Sequence, residues 1–150
     1  MAQGLALAAL ACRLGSWAGE SRTMLRASLK VERTGNTLFY RYFLENATNR
    51  PFVAAHACLL DLWLVNAAGQ EVRHSPSPDA ACQARYVTIR VAPHARAAVL
   101  RNRLEWNLAE LPAGTYGVKS RWQLFHVADG FPKTPFVVWS APFSLPGGHR

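Results

Sequence analysis

From Met24 onward the apolar residues recur at every second position rather than at helical spacing. A strand with one buried face produces that period. Met24 to Glu32 sets Leu25, Ala27, Leu29 and Val31 against Arg26, Ser28, Lys30 and Glu32, which predicts a first strand with one wet face. Gly35-Asn36 turns the chain into Thr37 to Glu45, an aromatic run with high β propensity on both faces. A polar break from Asn46 to Pro51 ends it, and Phe52 to Ala57 follows. Cys58 to Val65 puts Leu60, Leu62 and Leu64 on one side, Asn66 to Gln70 supplies a turn, and Glu71 to Arg73 returns as a short antiparallel partner.

His74 to Ala84 holds two prolines, two serines and no period, so it reads as a long surface loop. Tyr86 to Val91 and Ala97 to Trp106 are extended stretches separated by the turn Pro93 to Arg96. Only Arg101 to Glu110 carries a weak helical period. Leu111-Pro112-Ala113-Gly114 makes a tight turn that delivers Tyr116, Val118, Ser120, Trp122 and Leu124 onto one face of a strand. After the Asp129-Gly130 turn, Phe136 to Leu145 closes the fold. About eight strands at roughly ten-residue spacing predict an all-β protein, an immunoglobulin-like antiparallel β-sandwich. Residues 23–146 form that single domain, residues 1–22 an N-terminal extension or signal segment, and residues 147–150 a flexible tail.

Composition agrees with a folded domain: half of the 150 residues are apolar, with five Trp, four Tyr and seven Phe. The formal charge of +8 and pI of about 10.1 favour acidic partners of any kind. The arginines come dispersed, without a run of like charge, which predicts a solvated basic surface and no specific nucleic-acid site. The sharper reading of Phe39, Tyr40, Tyr42 and Phe43 beside Arg41 and Arg50 is a stacking platform for single-stranded nucleic acid; the plainer one is sheet packing. Trp63, Trp106, Trp122 and Trp139 read as core or sheet-face residues, and Tyr116, just after a glycine-containing turn, as a tyrosine corner.

At the N-terminus, Gly4 to Ala11 is a short apolar stretch ending Ala9-Leu10-Ala11 before Cys12. It is too short to span a bilayer, which takes about 20 apolar residues. Read as an export signal it makes Cys12 a candidate for lipidation; read plainly it is an extension, and an exported and a cytoplasmic location stay equally open. Cys58 and Cys82 form a candidate disulfide in an oxidising compartment and small idle thiols otherwise. His56, Cys58, His74 and Cys82 could be drawn as a four-ligand metal site, but their spacing fits no recognised zinc pattern, so neither metal nor cofactor is expected. The chain has no nucleophile elbow, phosphate-cradling glycine loop or convincing carboxylate pair; Asp61, Asp129 and His126 stand isolated. It does not read as an enzyme.

Three segments resemble a known family: the break Phe43 to Pro51, the hairpin Leu60 to Val72, and the corner Leu111 to Tyr116. Their order and spacing, over roughly Leu38 to Leu124, are similar to the BsuPI-type intracellular proteinase inhibitor domain, a bacterial immunoglobulin-like sandwich. The Pro/Ser loop containing Cys82 departs from that family. The resemblance implies a non-enzymatic protein-binding module that presents a loop to a protein partner, a protease in the family's case. The stiffened stretch Arg73, His74, Pro76, Pro78 and Arg85 is the first candidate, and His126 to Pro135 the second. The alternative is an exported, lipidated, envelope-associated structural or interaction domain, touching a membrane only through Cys12.

A Cys58–Cys82 bridge would close a loop worth roughly 3 kcal/mol. Intact mass of the exported protein should rise by two hydrogens on reduction; an unchanged mass would remove the bridge.

Overall fold

The computed structural model describes residues 25–56, 60–75, 87–131, 133 and 135–147. Among them the alternating segments form ten strands: β1 (Leu25–Thr34), β2 (Thr37–Asn46), β3 (Phe52–His56), β4 (Leu60–Asn66), β5 (Glu71–Ser75), β6 (Val87–Val91), β7 (Arg96–Leu104), β8 (Gly114–Trp122), β9 (Phe136–Trp139) and β10 (Phe143–Leu145). One sheet runs β1-β2-β7, and the other runs β5-β4-β8, with β9 and β10 along the far side of β8. All pairings are antiparallel. β3 and β6 form a separate pair, which the bridge Ala55 to Phe125 ties to the chain beyond β8. The return of β7 to the side of β2, after four intervening strands, gives the crossed connectivity of an immunoglobulin-like sandwich.

Alternation explains the layers. Leu29, Leu38, Tyr42 and Leu44 point inward from the first sheet, and Leu62, Leu64, Val118 and Trp122 from the second. Tyr42 and Trp122 meet across the middle edge to face, centroids 4.8 Å apart at 66°. That contact adds about 0.5–1.5 kcal/mol to the area both rings bury. Burial raises the Tyr42 phenol well above its ordinary range, with the neighbouring Ser120 hydroxyl pulling weakly the other way. No group reaches hydrogen-bond geometry with the Tyr42 hydroxyl among the described residues.

The turns follow their residues. Gly35, at φ +61, occupies a turn position that side chains resist. Asn66 accepts from the N–H groups of Ala68 (3.0 Å) and Gln70 (2.9 Å), building the β4–β5 turn around its own carboxamide. Tyr116 is buried and donates its hydroxyl to Pro112 O at 2.7 Å, the tyrosine corner expected from its place after the Leu111 to Gly114 turn.

Three sequence expectations need correction. The predicted closing strand Phe136 to Leu145 is two strands, because Ser140 and Pro142 interrupt it: Ser140 accepts from Val118 N–H with its Oγ (2.9 Å) and donates its own N–H to Val118 O (2.8 Å). The two halves bring the count to ten strands among the described residues. The weak helical period at Arg101 to Glu110 yields strand to Leu104 and only a 3-10 turn, Leu108–Glu110, capped by Asn107 Oδ1. Finally, His74 and Ser75 extend β5 rather than opening a loop.

The two buried tyrosines should respond in opposite ways to losing the hydroxyl. Tyr116→Phe should lower stability by about 1 kcal/mol, whereas Tyr42→Phe, which removes an unsatisfied buried hydroxyl, should hold or raise it. Denaturant midpoints decide, and equal losses would mean that the Tyr42 hydroxyl is satisfied.

Candidate functional site

The two outer faces of the sandwich differ in how far their side chains satisfy one another. On the second sheet, register lines up His74 (β5), Trp63 (β4), Lys119 (β8) and Trp139 (β9) in one row. His74 stacks on Trp63 with centroids 4.8 Å apart and planes within 1°, and its Nε2 sits 3.2 Å from Asp61 Oδ1. Lys119 Nζ lies 4.8 Å from the Trp63 ring centre and 6.0 Å from that of Trp139, and donates to Glu71 at 2.9 Å. The six-membered ring of Trp139 covers Gly117, where an added Cβ would stand 3.7 Å from it. Every member of this row already has a partner.

The first sheet is different. Its outward positions are Arg26, Lys30 and Glu32 on β1, Phe39, Arg41, Phe43 and Glu45 on β2, and Arg96, Arg101 and Arg103 on β7. Register places Lys30, Arg41 and Arg101 directly opposite one another across three strands. Like charges so placed repel. The carboxylates nearby relieve only one end of the row: Glu32 pairs back along its own strand with Lys30 (2.9 Å), while Glu105 pairs with Arg103 (2.6 Å), outside the row. Among the described residues, no hydrogen bond or ion pair is formed by the Arg41 or Arg101 side chain. Lys30, by hydrogen bond and charge, holds the Glu32 carboxyl below its usual range, with a small contribution from Arg41.

A depression of about 620 Å³ lies over this row, lined by the cations Lys30, Arg41, Arg101 and Arg103, by Phe39 and Tyr40, and by the carboxylates Glu32 and Glu105 among others. Phe39 is 43% exposed there, a large apolar ring left open among cations. Farther along, Arg96 stacks on Phe43 with its guanidinium carbon 3.9 Å from the ring centre. The arrangement offers an anionic ligand the two unpaired guanidiniums of Arg41 and Arg101 and an aromatic surface, beside the ion pairs Lys30–Glu32 and Arg103–Glu105.

The structure splits the aromatic cluster that the sequence grouped. Phe39, Arg41 and Phe43 face outward, Tyr42 is core, and Arg50 lies apart, over Phe131 at 5.4 Å. Of the first candidate loop, Arg73 donates to Val72 O (2.8 Å) and stands 3.7 Å from Glu110 Oε2, and His74 belongs to the tryptophan row. Pro76, Pro78 and Arg85 lie outside the described residues, as do Cys12, Cys58 and Cys82. The second candidate loop is fastened to β3: Phe125 exchanges two 2.7 Å bonds with Ala55, Ala128 N–H donates to Val53 O, and Phe131 packs on Phe52. No cluster of metal-ligating residues occurs among the described residues. Sequence reading missed the cation row because its members are eleven and sixty residues apart; only β-strand register brings them together.

No family model and no curated protein matches the chain. Among solved structures, the solution structure of R. palustris CsgH aligns with 77% of this chain and 90% of its own at 12% identity, with a TM-score of 0.39.

The tryptophan row should act as a stabilising unit. Lys119→Ala removes a cation–π contact and a surface ion pair, each worth up to about 1 kcal/mol. The denaturant midpoint should fall and tryptophan emission should change; an unmoved midpoint would reduce the row to coincidence of register.

Proposed function

We propose that this chain is a non-enzymatic binding module whose working surface is the outer face of β1-β2-β7 and whose partner is an acidic protein. The observation that carries the reading is the row Lys30, Arg41 and Arg101, three cations held opposite one another, of which only Lys30 has a carboxylate partner, Glu32. A sheet that merely needed solubility could alternate its charges, as the second sheet does with Lys119 and Glu71. Here the repulsion persists until something anionic covers it. An acidic surface would relieve it and gain association rate from the field of a chain carrying +8.

The proteinase inhibition implied by the family resemblance needs an exposed segment held ready for a protease cleft. Arg73 and His74 lend that reading little, because both are engaged within β5's own surroundings. An exported, envelope-associated assembly role is compatible with the basic face and depends on the processing of residues 1–11.

Calorimetric titration with poly-L-glutamate tests the proposal. Binding should weaken steeply between low and moderate salt and fall at least tenfold for Arg41→Glu, while poly-L-lysine should not bind. Indifference to Arg41→Glu would exclude this face. A nucleic-acid complex that is sequence-specific and survives moderate salt, or a serine protease slowed at micromolar protein, would replace the reading.

A further inference from the structure

The basic face ends at a strand edge, and the edge narrows the shape of what binds there. β7 is nine residues long and terminates its sheet: β2 pairs with one side of it, and among the described residues no strand pairs with the other. Arg101, Asn102 and Arg103 are exposed. The Arg103 N–H donates to the carboxamide of its neighbour, Asn102 Oδ1, at 2.8 Å. A backbone donor answered by an adjacent side chain is what an edge shows where no strand is there to accept it. Because backbone groups alternate along a strand, Arg101 turns its N–H and C=O the same way as Arg103. Both also carry their guanidinium on the outer face, that of Arg101 without a partner and that of Arg103 in an exposed pair with Glu105 that an incoming carboxylate must exchange with.

We propose that the open edge of β7 receives an extended segment of the acidic partner by strand addition, and that this segment carries carboxylates at alternate positions. The inference rests on the reading of the face given above. Alternate residues of a strand stand roughly 6.8 Å apart on one face, so Arg101 and Arg103 match an acidic residue at every second position of a neighbouring strand and not a block of consecutive ones. The arginines make the edge selective. They repel the edge of a second copy of this chain, as edge charges in sheet proteins do, and attract only a strand of opposite sign. Asn102 gives up the Arg103 N–H when the added strand supplies a carbonyl. The bulge that shifts the β2–β7 register between Tyr42 and Phe43 limits the straight part of the edge to its Leu100–Leu104 end, where the arginines are.

The test uses the full chain and fluorescein-labelled nine-residue peptides of glutamate and threonine, read by fluorescence polarisation. One peptide alternates the two residues, one has the same composition in blocks, and two are alternating peptides N-methylated at either the glutamate or the threonine amides. Strand addition predicts that the alternating peptide binds at least tenfold more tightly than the block isomer, and that one methylation phase abolishes binding while the other is tolerated. Arg101→Glu with Arg103→Glu should lose the alternating peptide, and Arg121→Glu on the opposite sheet should keep it, with circular dichroism confirming that both variants fold. Equal binding of alternating and block peptides, or indifference to both methylation phases, overturns strand addition and leaves the acidic-partner reading standing. Failure of every acidic peptide to bind overturns both.

Discussion

A single buried carboxamide, that of Asn46, holds the corner on which the sandwich turns. The residue is fully buried, ends β2, and satisfies all of its side-chain capacity locally: Nδ2 donates to Arg50 O at 2.7 Å and to Val91 O at 3.1 Å, while Oδ1 accepts from the N–H and hydroxyl of Thr48. Its own N–H donates to Ala95 O. The side chain thus fixes the polar break after β2 and the end of β6, and the backbone N–H of the same residue the start of β7. A buried polar group of this kind is costly unless every partner is in place, so it selects one geometry over its near neighbours. The register of β7 against β2, and hence the cation row, begins from that anchor.

Much of the scaffold was legible because alternation is a local property. The inward sets on β1, β4 and β8 follow from every second residue being apolar, and the tyrosine corner from the Leu111-Pro112-Ala113-Gly114 turn before Tyr116. Where reading failed, the deciding interaction was non-local. Ser140 looks like one more strand residue until Val118, more than twenty positions away, is seen to bond both to its hydroxyl and to its N–H. His74 follows a short hairpin arm and precedes prolines, which is loop chemistry, yet an indole on β4 gives its ring a partner and the strand continues. Asn46-Ala47-Thr48 reads correctly as a break, but what it is fastened to appears only through Val91 and Ala95.

The candidate site was the least legible part for the same reason. Arginines counted along the chain are dispersed, and dispersion correctly predicts a solvated surface for most of them. It says nothing about which ones share a row. Lys30, Arg41 and Arg101 belong to three different strands, and two pairing registers must be known before they meet. The aromatic grouping of Phe39 to Phe43 erred in the complementary direction: adjacency in sequence suggested one cluster, and the pleat divides it between core and surface.

The contrast between the two outer faces then becomes an argument about use. Both sheets are wet on one side, both have aromatic and cationic residues there, and both were built by the same alternation. On the β4-β8 face each charge of the tryptophan row has an acid or an indole within reach, so the row stabilises the sheet and asks for nothing further. On the β1-β2-β7 face Glu32 and Glu105 pair with close neighbours in the chain, Glu45 stands between Arg26 and Arg96 farther along, and Arg41 and Arg101 are left facing one another across the ladder. Repulsion of that kind lowers the stability of the free protein and is recovered only when an anion arrives, so it contributes to the difference between free and bound states rather than to both equally. A surface that stores such a difference is better suited to association than to scaffolding, and under the proposed strand addition the open edge of β7 beside it would give the association a direction.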